Sequence, residues 1–303
     1  MTVLAVDVGG TKVAVALVTR QGEVLTKQQQ PTDLAGPEAV ADQIASLYGA
    51  VAGQERVLAC GASVPAALAG PDTDRVIWAP NLPGWQDIPF REMLRERLAV
   101  PVFLEFDGHA TVLGEWWVGA ARGYRSVASV IIGTGIGGGV IVDGRLWPGR
   151  DRLAGAVGWF PLAGPEGVDH WENLAAGPAI ARRAGQLLVA GHASTLSAEA
   201  LTAREVFDAA RQGDRLARRV IREAAEAIGQ GVASIISLAN PEIVVLGGSV
   251  GQQSDLLLGT VRAAVSRWAQ PIAARDVPIV CSTLGEEASL LGAAHTAFLR
   301  LSS

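Results

Sequence analysis

Residues 3–18 have the sequence VLAVDVGGTKVAVALV. Two valine-rich apolar runs flank an acidic residue and a Gly-Gly-Thr turn, a pattern typical of a β-hairpin. Because Gly9 and Gly10 carry no Cβ atoms, an anion can approach the backbone amides of this turn closely. Asp7, at the end of the first strand, is suited to hold a Mg²⁺ ion together with substrate phosphates. Taken alone, the motif is equally compatible with an ordinary tight hairpin.

The composition places the chain among α/β proteins. Its 303 residues are enough for two domains with substantial cores. With 36 glycines, 49% hydrophobic residues and 18% charged residues, the chain fits a turn-rich α/β enzyme better than a disordered or fibrous protein. The net charge of −5 gives no electrostatic footprint for a nucleic acid, so no nucleic-acid partner is expected.

The N-terminus and the cysteines favour a cytoplasmic location. The chain enters a strand by residue 3 without the basic start and apolar segment of a signal peptide, and no apolar run reaches membrane-spanning length. We therefore expect no membrane partner. Cys60 and Cys281 lie in apolar, β-rich sequence and are expected to be buried thiols.

A second glycine-rich hairpin is expected near residue 133. A strand at 126–132 leads to the turn 133–139, and a return strand follows at 140–142. This repeats the architecture of residues 3–18 roughly 125 positions later, which indicates a duplicated domain and not a solenoid. No helix follows the glycines directly, so this is not a dinucleotide-binding fingerprint. Two such hairpins facing each other would hold one nucleotide.

Two loops present polar side chains. The rigid loop 79–85 contains two prolines and presents Asn81, whose amide suits a sugar hydroxyl, although an Asx turn is the favoured explanation when the loop is taken alone. Asp107 follows a strand at 102–105 and precedes a helix, the position at which open α/β sheets bind ligands. An aspartate there also caps helices, and the two roles are compatible.

The rest of the chain alternates strands and helices, except for residues 144–172, which are expected to be irregular. Further strands are predicted at 24–27, 57–64, 243–246 and 277–281. Helices are predicted at 37–53, 90–98, 175–190, from a capping box at 202–205, at 216–236, around 256–265 and at 287–300.

Five motifs, in order, resemble the ROK family (repressors, open reading frames and kinases) among the actin-like sugar kinases. They are residues 7–12 (DVGGTK), 80–85 (PNLPGW), 133–139 (GTGIGGG), 240–248 (NPEIVVLGG) and 284–288 (LGEEA) with 292–294 (GAA). The resemblance implies an α/β fold of two actin-like (ribonuclease H-like) domains, with mixed sheets flanked by helices and an interdomain cleft. It assigns residues 1–117 and 289–303 to a smaller domain and 118–288 to a larger one.

The resemblance also implies an ATP-dependent kinase that phosphorylates the 6-hydroxyl of a hexose or amino-hexose, with Mg²⁺ as cofactor. Asp107 would be the catalytic base, which suits a carboxylate within reach of a primary hydroxyl. Asn81 and Glu172 would join it in contacting the sugar, and Gly247 and Gly248 would face the adenosine. The phosphates and Mg²⁺ would be held by Asp7, Gly9, Gly10, Thr11, Lys12, Gly133, Thr134 and Gly135. The resemblance implies a homodimer. Trp116, Trp117 and Trp147 are candidate interface residues, although core packing is the commoner fate of any one tryptophan.

The chain departs from the family pattern on the sugar side. Phe106 replaces the usual Asn before the catalytic Asp, and Ala156 and Trp159 replace the Glu and His of a Glu-x-Gly-His motif. Residues 164–172 replace a cysteine-rich zinc segment, so no structural zinc is expected. Such a pocket favours a hexose with an altered or apolar face, such as the amino sugar kanosamine, over plain glucose.

Two alternatives remain open. The first is a non-catalytic sugar- and nucleotide-sensing regulatory protein of the same family. Family repressors carry an N-terminal helix-turn-helix extension, which is not expected here because the first motif begins at residue 7, and the presence of Asp107 favours a kinase. The second is a polyphosphate-dependent kinase, which would need a basic phosphate-binding surface that the sequence does not reveal.

Overall fold

The computed structural model describes residues 1–53, 55–69, 75–80 and 82–302. The strands are β1 (Thr2–Val8), β2 (Lys12–Thr19), β3 (Val24–Pro31), β4 (Val57–Val64), β5 (Ala67–Ala69), β6 (Arg75–Trp78), β7 (Gln86–Ile88), β8 (Val102–Phe106), β9 (Val127–Ile132), β10 (Ile136–Val142), β11 (Arg145–Leu146), β12 (Pro161–Gly164), β13 (Gly167–His170), β14 (Ile243–Gly247) and β15 (Ile279–Cys281).

Helices occur throughout the chain. They are α1 (Pro37–Ala52), α2 (Phe90–Leu98), α3 (Asp107–Trp117), α4 (Trp171–Ala175), α5 (Gly177–Val189), α6 (Ala203–Arg211), α7 (Arg215–Ala239), α8 (Gly248–Gly251), α9 (Ser254–Trp268) and α10 (Ala288–Leu301), with 3₁₀ turns at Val157–Trp159 and Gly285–Glu287. The predicted capping box is present at the start of α6. In the described part of the chain, each helix is too short or too polar to cross a membrane.

The contacts divide the chain into two compact units. The first contains Met1–Gly123, Gly139–Gly155 and Glu286–Ser303, and the second contains Tyr124–Gly138 and Ala156–Gly285. The segment Gly139–Gly155 was expected in the second domain. It groups with the first unit because Arg152 and Ala154 hydrogen-bond to residues at the end of β8 and the start of α3.

The first unit contains a sheet with the order β3-β2-β1-β4-β8. β1 is antiparallel to β2 and parallel to β4, which is parallel to β8. β1 and β2 are almost wholly buried, as their continuous apolar sequences require. The register places Asp7 opposite Ser63 and Ser63 opposite Glu105, so that polar side chains collect where the parallel strands end.

Close packing of α10 against α3 brings the start of α10 to this edge. A Cβ atom on Gly292 would lie 1.6 Å from the carbonyl oxygen of Ala110, and one on Gly114 would lie 2.1 Å from that of Ala288. These two glycines therefore permit a backbone approach that a larger residue would block. As a result, Ser289 lies beside Asp7.

The second sheet has the order β11-β10-β9-β14-β15, in which β14 is parallel to both β9 and β15. Its order matches that of the first sheet strand for strand, which confirms the predicted α/β class with a duplicated unit. The glycine-rich turn is shorter than predicted. Only residues 133–135 form it, because Gly137–Gly139 pair within β10.

The remaining differences from the sequence predictions concern short or partly exposed elements. Residues 144–172, expected to be irregular, contain β11 and the hairpin β12–β13. The small sheet β5-β6-β7 was not predicted, because strands of three or four residues carry little periodicity. Cys60 is buried as expected, whereas Cys281 is only partly buried.

Candidate active site

Asp7 is a half-buried carboxylate at the end of β1. Ser289 donates a hydrogen bond to its Oδ1 atom at 2.8 Å, and the Ser289 and Ser63 hydroxyl oxygens are 2.6 Å apart. Burial raises the pKa of Asp7, although both serines and the nearby lysines Lys12 and Lys27 lower it. A carboxylate that burial makes hard to ionise is stabilised by a cation.

The Asp7 carboxylate and the neighbouring serine hydroxyls fit a Mg²⁺ ion that accompanies a phosphorylated substrate. Mg²⁺ prefers oxygen ligands and usually takes one or two carboxylates, with water and phosphates completing its shell. Within the described residues, no group of three or more His, Cys, Asp or Glu side chains could hold a metal ion. Asp7 would therefore bind Mg²⁺ together with phosphate oxygens and water, and not within a protein cage.

Asp107 is the first residue of α3, directly after β8. Its Oδ1 accepts a hydrogen bond from the Gly108 amide at 2.7 Å, and Phe106 occupies the N-cap position expected for Asp107 itself. Burial raises the pKa of Asp107 to about 7, with a further contribution from the charge of Asp7, while the Gly108 amide and His109 lower it. A carboxyl group with a pKa near neutrality suits a general base.

The first glycine turn joins β1 to β2 as predicted. The Gly9 amide donates to the carbonyl of Lys12 at 2.9 Å, and the Thr32 hydroxyl donates to the carbonyl of Gly9 at 2.6 Å. A Cβ atom on Gly9 would lie 3.1 Å from the Lys12 carbonyl oxygen. Lys12 begins β2, and its ammonium group is paired with Glu286. To contact a phosphate, the Lys12 ammonium group would have to break its ion pair with Glu286 or bind both groups at once.

The second glycine turn, Gly133-Thr134-Gly135, joins β9 to β10. Glu172 accepts a hydrogen bond from the Ile136 amide at 2.8 Å through Oε2. The same oxygen would lie 2.4 Å from a Cβ atom on Gly135, which explains the glycine there. Glu172, expected to contact sugar, therefore uses one carboxylate oxygen to hold this turn.

The predicted phosphate and adenosine motifs of the second unit adjoin each other. Gly247 ends β14, and Gly248 has a φ of +80° and would place a Cβ atom 2.4 Å from the carbonyl oxygen of Ile132. A Cβ atom on Gly133 would lie 4.0 Å from the Ser249 hydroxyl oxygen. The Gly177 amide, at the start of α5, donates to the carbonyl of Gly133 at 2.8 Å.

The substituted sugar-side positions are largely aromatic. The Phe106 ring meets the His109 ring edge-on at 5.2 Å between centroids. Ala156 precedes the 3₁₀ turn that ends at Trp159, whose side chain is 61% exposed and meets His170 edge-on at 5.0 Å. Asn81, the expected amide contact, lies outside the described residues.

The family model for the ROK family matches residues 3–298. The chain belongs to the ROK family. It is 34% identical to a glucokinase of Thermotoga maritima over 97% of this chain and 96% of that protein. It is 36% identical to the bifunctional enzyme NanE/NanK of Brucella melitensis over 97% of this chain and 54% of that longer protein.

Solved ROK structures share the whole fold. A ROK family glucokinase from Streptomyces griseus, solved in complex with glucose and AMPPNP, matches with a TM-score of 0.83 and 29% identity, over 98% of this chain and 99% of that one. The match confirms the actin-like α/β fold that the motifs implied.

Several polar residues in this ROK chain escaped the sequence analysis. The residues that belong to no recognised motif are Ser63, Ser289, Glu105, His109 and Arg152. Their partners are far apart in sequence, since Ser289 and Asp7 are separated by 282 positions. Among these residues, only His109 could have been found from the sequence, because its partner Glu105 lies four residues before it across the junction of β8 and α3.

Proposed function

We propose that this protein is an ATP-dependent sugar kinase that transfers the γ-phosphoryl group to the 6-hydroxyl of a hexose or amino-hexose. The observation that carries the proposal is Asp107, a half-buried carboxylate with a pKa raised to about 7 and electrostatically coupled to Asp7 at the same sheet edge. The similarity to glucokinases across nearly the whole chain supports the same reaction class.

Each site residue has a defined task in this proposal. Asp107 accepts the proton of the sugar hydroxyl as its oxygen attacks the γ-phosphorus. Asp7 holds Mg²⁺, which offsets negative charge on the phosphates. The phosphates bind along the two glycine turns, aided by Lys12, and Gly247 and Gly248 face the adenosine. Positioning of the two substrates supplies most of the rate enhancement.

We infer that the sugar is a modified glucose, such as a kanosamine-like amino sugar, phosphorylated in preference to plain glucose. Phe106 and Ala156 cannot make the hydrogen bonds of the Asn and Glu that they replace, and Trp159, in place of the His, can donate a hydrogen bond but cannot accept one. A sugar hydroxyl that lost its partner would be desolvated without compensation, whereas an aromatic surface suits an apolar sugar face. Glu172, through its second carboxylate oxygen, and Asn81 would supply the remaining polar contacts.

The test is ADP release by purified protein with Mg-ATP and one sugar at a time. The panel is glucose, N-acetylmannosamine, N-acetylglucosamine and 3-amino-3-deoxyglucose, and mass spectrometry with NMR assigns the phosphorylated position. We expect the highest kcat/KM with 3-amino-3-deoxyglucose. Higher kcat/KM with glucose would contradict the substrate preference and leave the kinase intact. ADP release with none of the four sugars would overturn the kinase proposal.

The regulatory alternative makes a different prediction in the same experiment. A sugar- and nucleotide-sensing protein without turnover would bind ATP and sugar in calorimetry but release no ADP. Replacing ATP with polyphosphate, with the sugar phosphate detected by mass spectrometry, separates the two phosphoryl donors, and we expect sugar phosphate to form with ATP.

A further inference from the structure

A buried cluster of three ionisable side chains lies next to Asp107. Glu105, His109 and Arg152 are 5%, 0% and 7% exposed, and the reaction proposed above uses none of them. Burying charges costs free energy that only close pairing and complete hydrogen bonding offset. The cluster therefore calls for an explanation beyond filling the core.

The two ring nitrogens of His109 lie within hydrogen-bonding distance of two different segments of the chain. Its Nδ1 lies 3.1 Å from Glu105 Oε1, and its Nε2 lies 2.8 Å from the carbonyl oxygen of Ala154. A carbonyl and a carboxylate only accept hydrogen bonds, so both ring nitrogens are placed to donate. Each nitrogen of His109 thus holds a different segment of the chain.

Glu105 and Arg152 complete the cluster. An Arg152 Nη2 atom donates to Glu105 Oε1 at 3.2 Å and to the carbonyl of Leu104 at 2.9 Å. The Phe106 amide also donates to Glu105 Oε1, at 3.1 Å. Burial raises the pKa of Glu105, but the hydrogen bond with His109 and the charge of Arg152 outweigh it, so the carboxyl stays ionised with a pKa below its usual range.

The cluster joins two parts of the first unit that are about 45 residues apart in sequence. One part is the junction of β8 and α3, which carries Asp107. The other is the stretch Arg152–Ala154, which immediately precedes Gly155 and Ala156. Arg152 has a φ of +56°, a left-handed conformation that is costly for arginine and that these hydrogen bonds hold in place.

We propose that His109 is a positioning residue, which ties Ala154 to the β8–α3 junction and thereby fixes both the catalytic base Asp107 and the segment leading to the sugar-side residues Ala156 and Trp159. This inference rests on the proposed kinase function. Apart from its electrostatic effect on the pKa of Asp107, the imidazole acts on Asp107 through the first turn of α3, and its assigned role involves no contact with ATP or sugar. Its loss would change the geometry of the acceptor site and leave the phosphate turns intact.

The test compares His109→Ala, Arg152→Ala and the double variant with the wild type in the ADP-release assay, using the panel sugar with the highest kcat/KM. We expect kcat to fall about 10- to 100-fold, because displacing a reacting group by about 1 Å has that effect. The KM for the sugar should rise and the KM for ATP should stay within two-fold. The double variant should lose no more than the worse single variant, because both residues act through one link.

A second histidine in the same unit provides the matched control. His295 is on α10, and its ring stacks on Trp117 at 4.9 Å with no hydrogen-bond partner for either ring nitrogen in the described structure. His295→Ala should lower the melting temperature and leave kcat unchanged. If His109→Ala and Arg152→Ala behave as His295→Ala does, the cluster only stabilises the fold and the proposal is wrong.

Hydrogen exchange separates failure of this inference from failure of the kinase proposal. In His109→Ala, amides in peptides covering residues 105–111 and 150–156 should exchange faster than in the wild type, whether or not the protein turns over. Unchanged exchange in both peptides would overturn the anchoring role even if kcat fell. Should His109→Ala fail to fold, Arg152→Ala is judged by the same criteria.

Discussion

Burial of the Asp107 carboxyl makes its ionised form unfavourable, which lowers the stability of the folded protein at neutral pH. The pKa of its carboxyl rises from 3.8 to about 7 because of burial and the neighbouring charge of Asp7. The folded state therefore holds this proton more tightly than the unfolded chain, and stability is lost as the pH rises from about 4 through 7. The same property suits the proposed role of Asp107 as a base that accepts a proton near neutral pH.

Asp107→Asn should lower the activity of the protein and raise its stability. We expect kcat to fall about 10²–10⁴-fold, because no base remains to accept the proton. At pH 8 the variant should be about 1–3 kcal/mol more stable in denaturant unfolding, since the ionisation cost disappears, and the gain should vanish near pH 4. In the wild type, kcat/KM should rise with pH and level off above about pH 7.

The exposed Asp276 is the control for this substitution. Asp276→Asn should change neither kcat nor stability. Retention of activity in Asp107→Asn would show that the base lies elsewhere.

At the residue scale, the sequence identified the site residues that lie within short motifs. Asp7 was predicted at the end of a strand and Asp107 directly after one, so the local pattern was enough to place them in the fold. Ser289 was not predicted as a partner of Asp7, because their contact depends on how closely α10 packs on α3. Lys12 was expected to be available for phosphate, and its pairing with Glu286 also depends on tertiary packing.

At the element scale, the turn after β14 tolerates substitution poorly. Gly248→Ala would force an L-residue into a φ of +80° and place its Cβ atom 2.4 Å from the Ile132 carbonyl oxygen. We expect a loss of about 2–4 kcal/mol in the free energy of unfolding, measured by urea denaturation. Gly185, inside α5 with open space around it, is the matched control. Gly185→Ala should stabilise the protein by about 0.5–1 kcal/mol, and an equal loss in both variants would contradict the steric argument.

The hairpin β12–β13 leads to a prediction about the zinc content of the purified protein. It forms four antiparallel pairs between Pro161–Gly164 and Gly167–His170 in a segment that has no cysteine. We expect purified protein to contain far less than one zinc ion per chain by plasma mass spectrometry, because the ligand set of a structural site is missing. Treatment with a zinc chelator, followed by addition of Mg²⁺, should leave ADP release unchanged. Stoichiometric zinc that is needed for folding would contradict this prediction.

At the scale of the whole molecule, the duplicated sheet order explains why two glycine turns occur in one chain. Each lies after the first strand of its sheet, between β1 and β2 or between β9 and β10. The repeat was visible in the sequence because both turns are rich in glycine and both follow an apolar strand.

We expect the protein to be a homodimer in solution. Light scattering after gel filtration should give twice the chain mass of 31.4 kDa. Among the candidate interface residues, Trp147 is 46% exposed, whereas Trp117 already stacks on His295. Trp147→Ser should therefore shift the equilibrium toward monomer, and Trp117→Ser should mainly lower stability. A monomeric wild-type protein at micromolar concentration would contradict the prediction.

The sequence by itself determined the α/β class, the two glycine turns, the long helices and the two key aspartates, because these depend on periodicity and on residue types a few positions apart. Only the tertiary structure decided which side chains meet: Ser63 and Ser289 near Asp7, Glu286 on Lys12, Glu172 on the second turn, and the cluster of Glu105, His109 and Arg152 behind Asp107. Most of these contacts join residues that are distant in sequence. They follow from strand register and helix packing, which a local pattern does not encode.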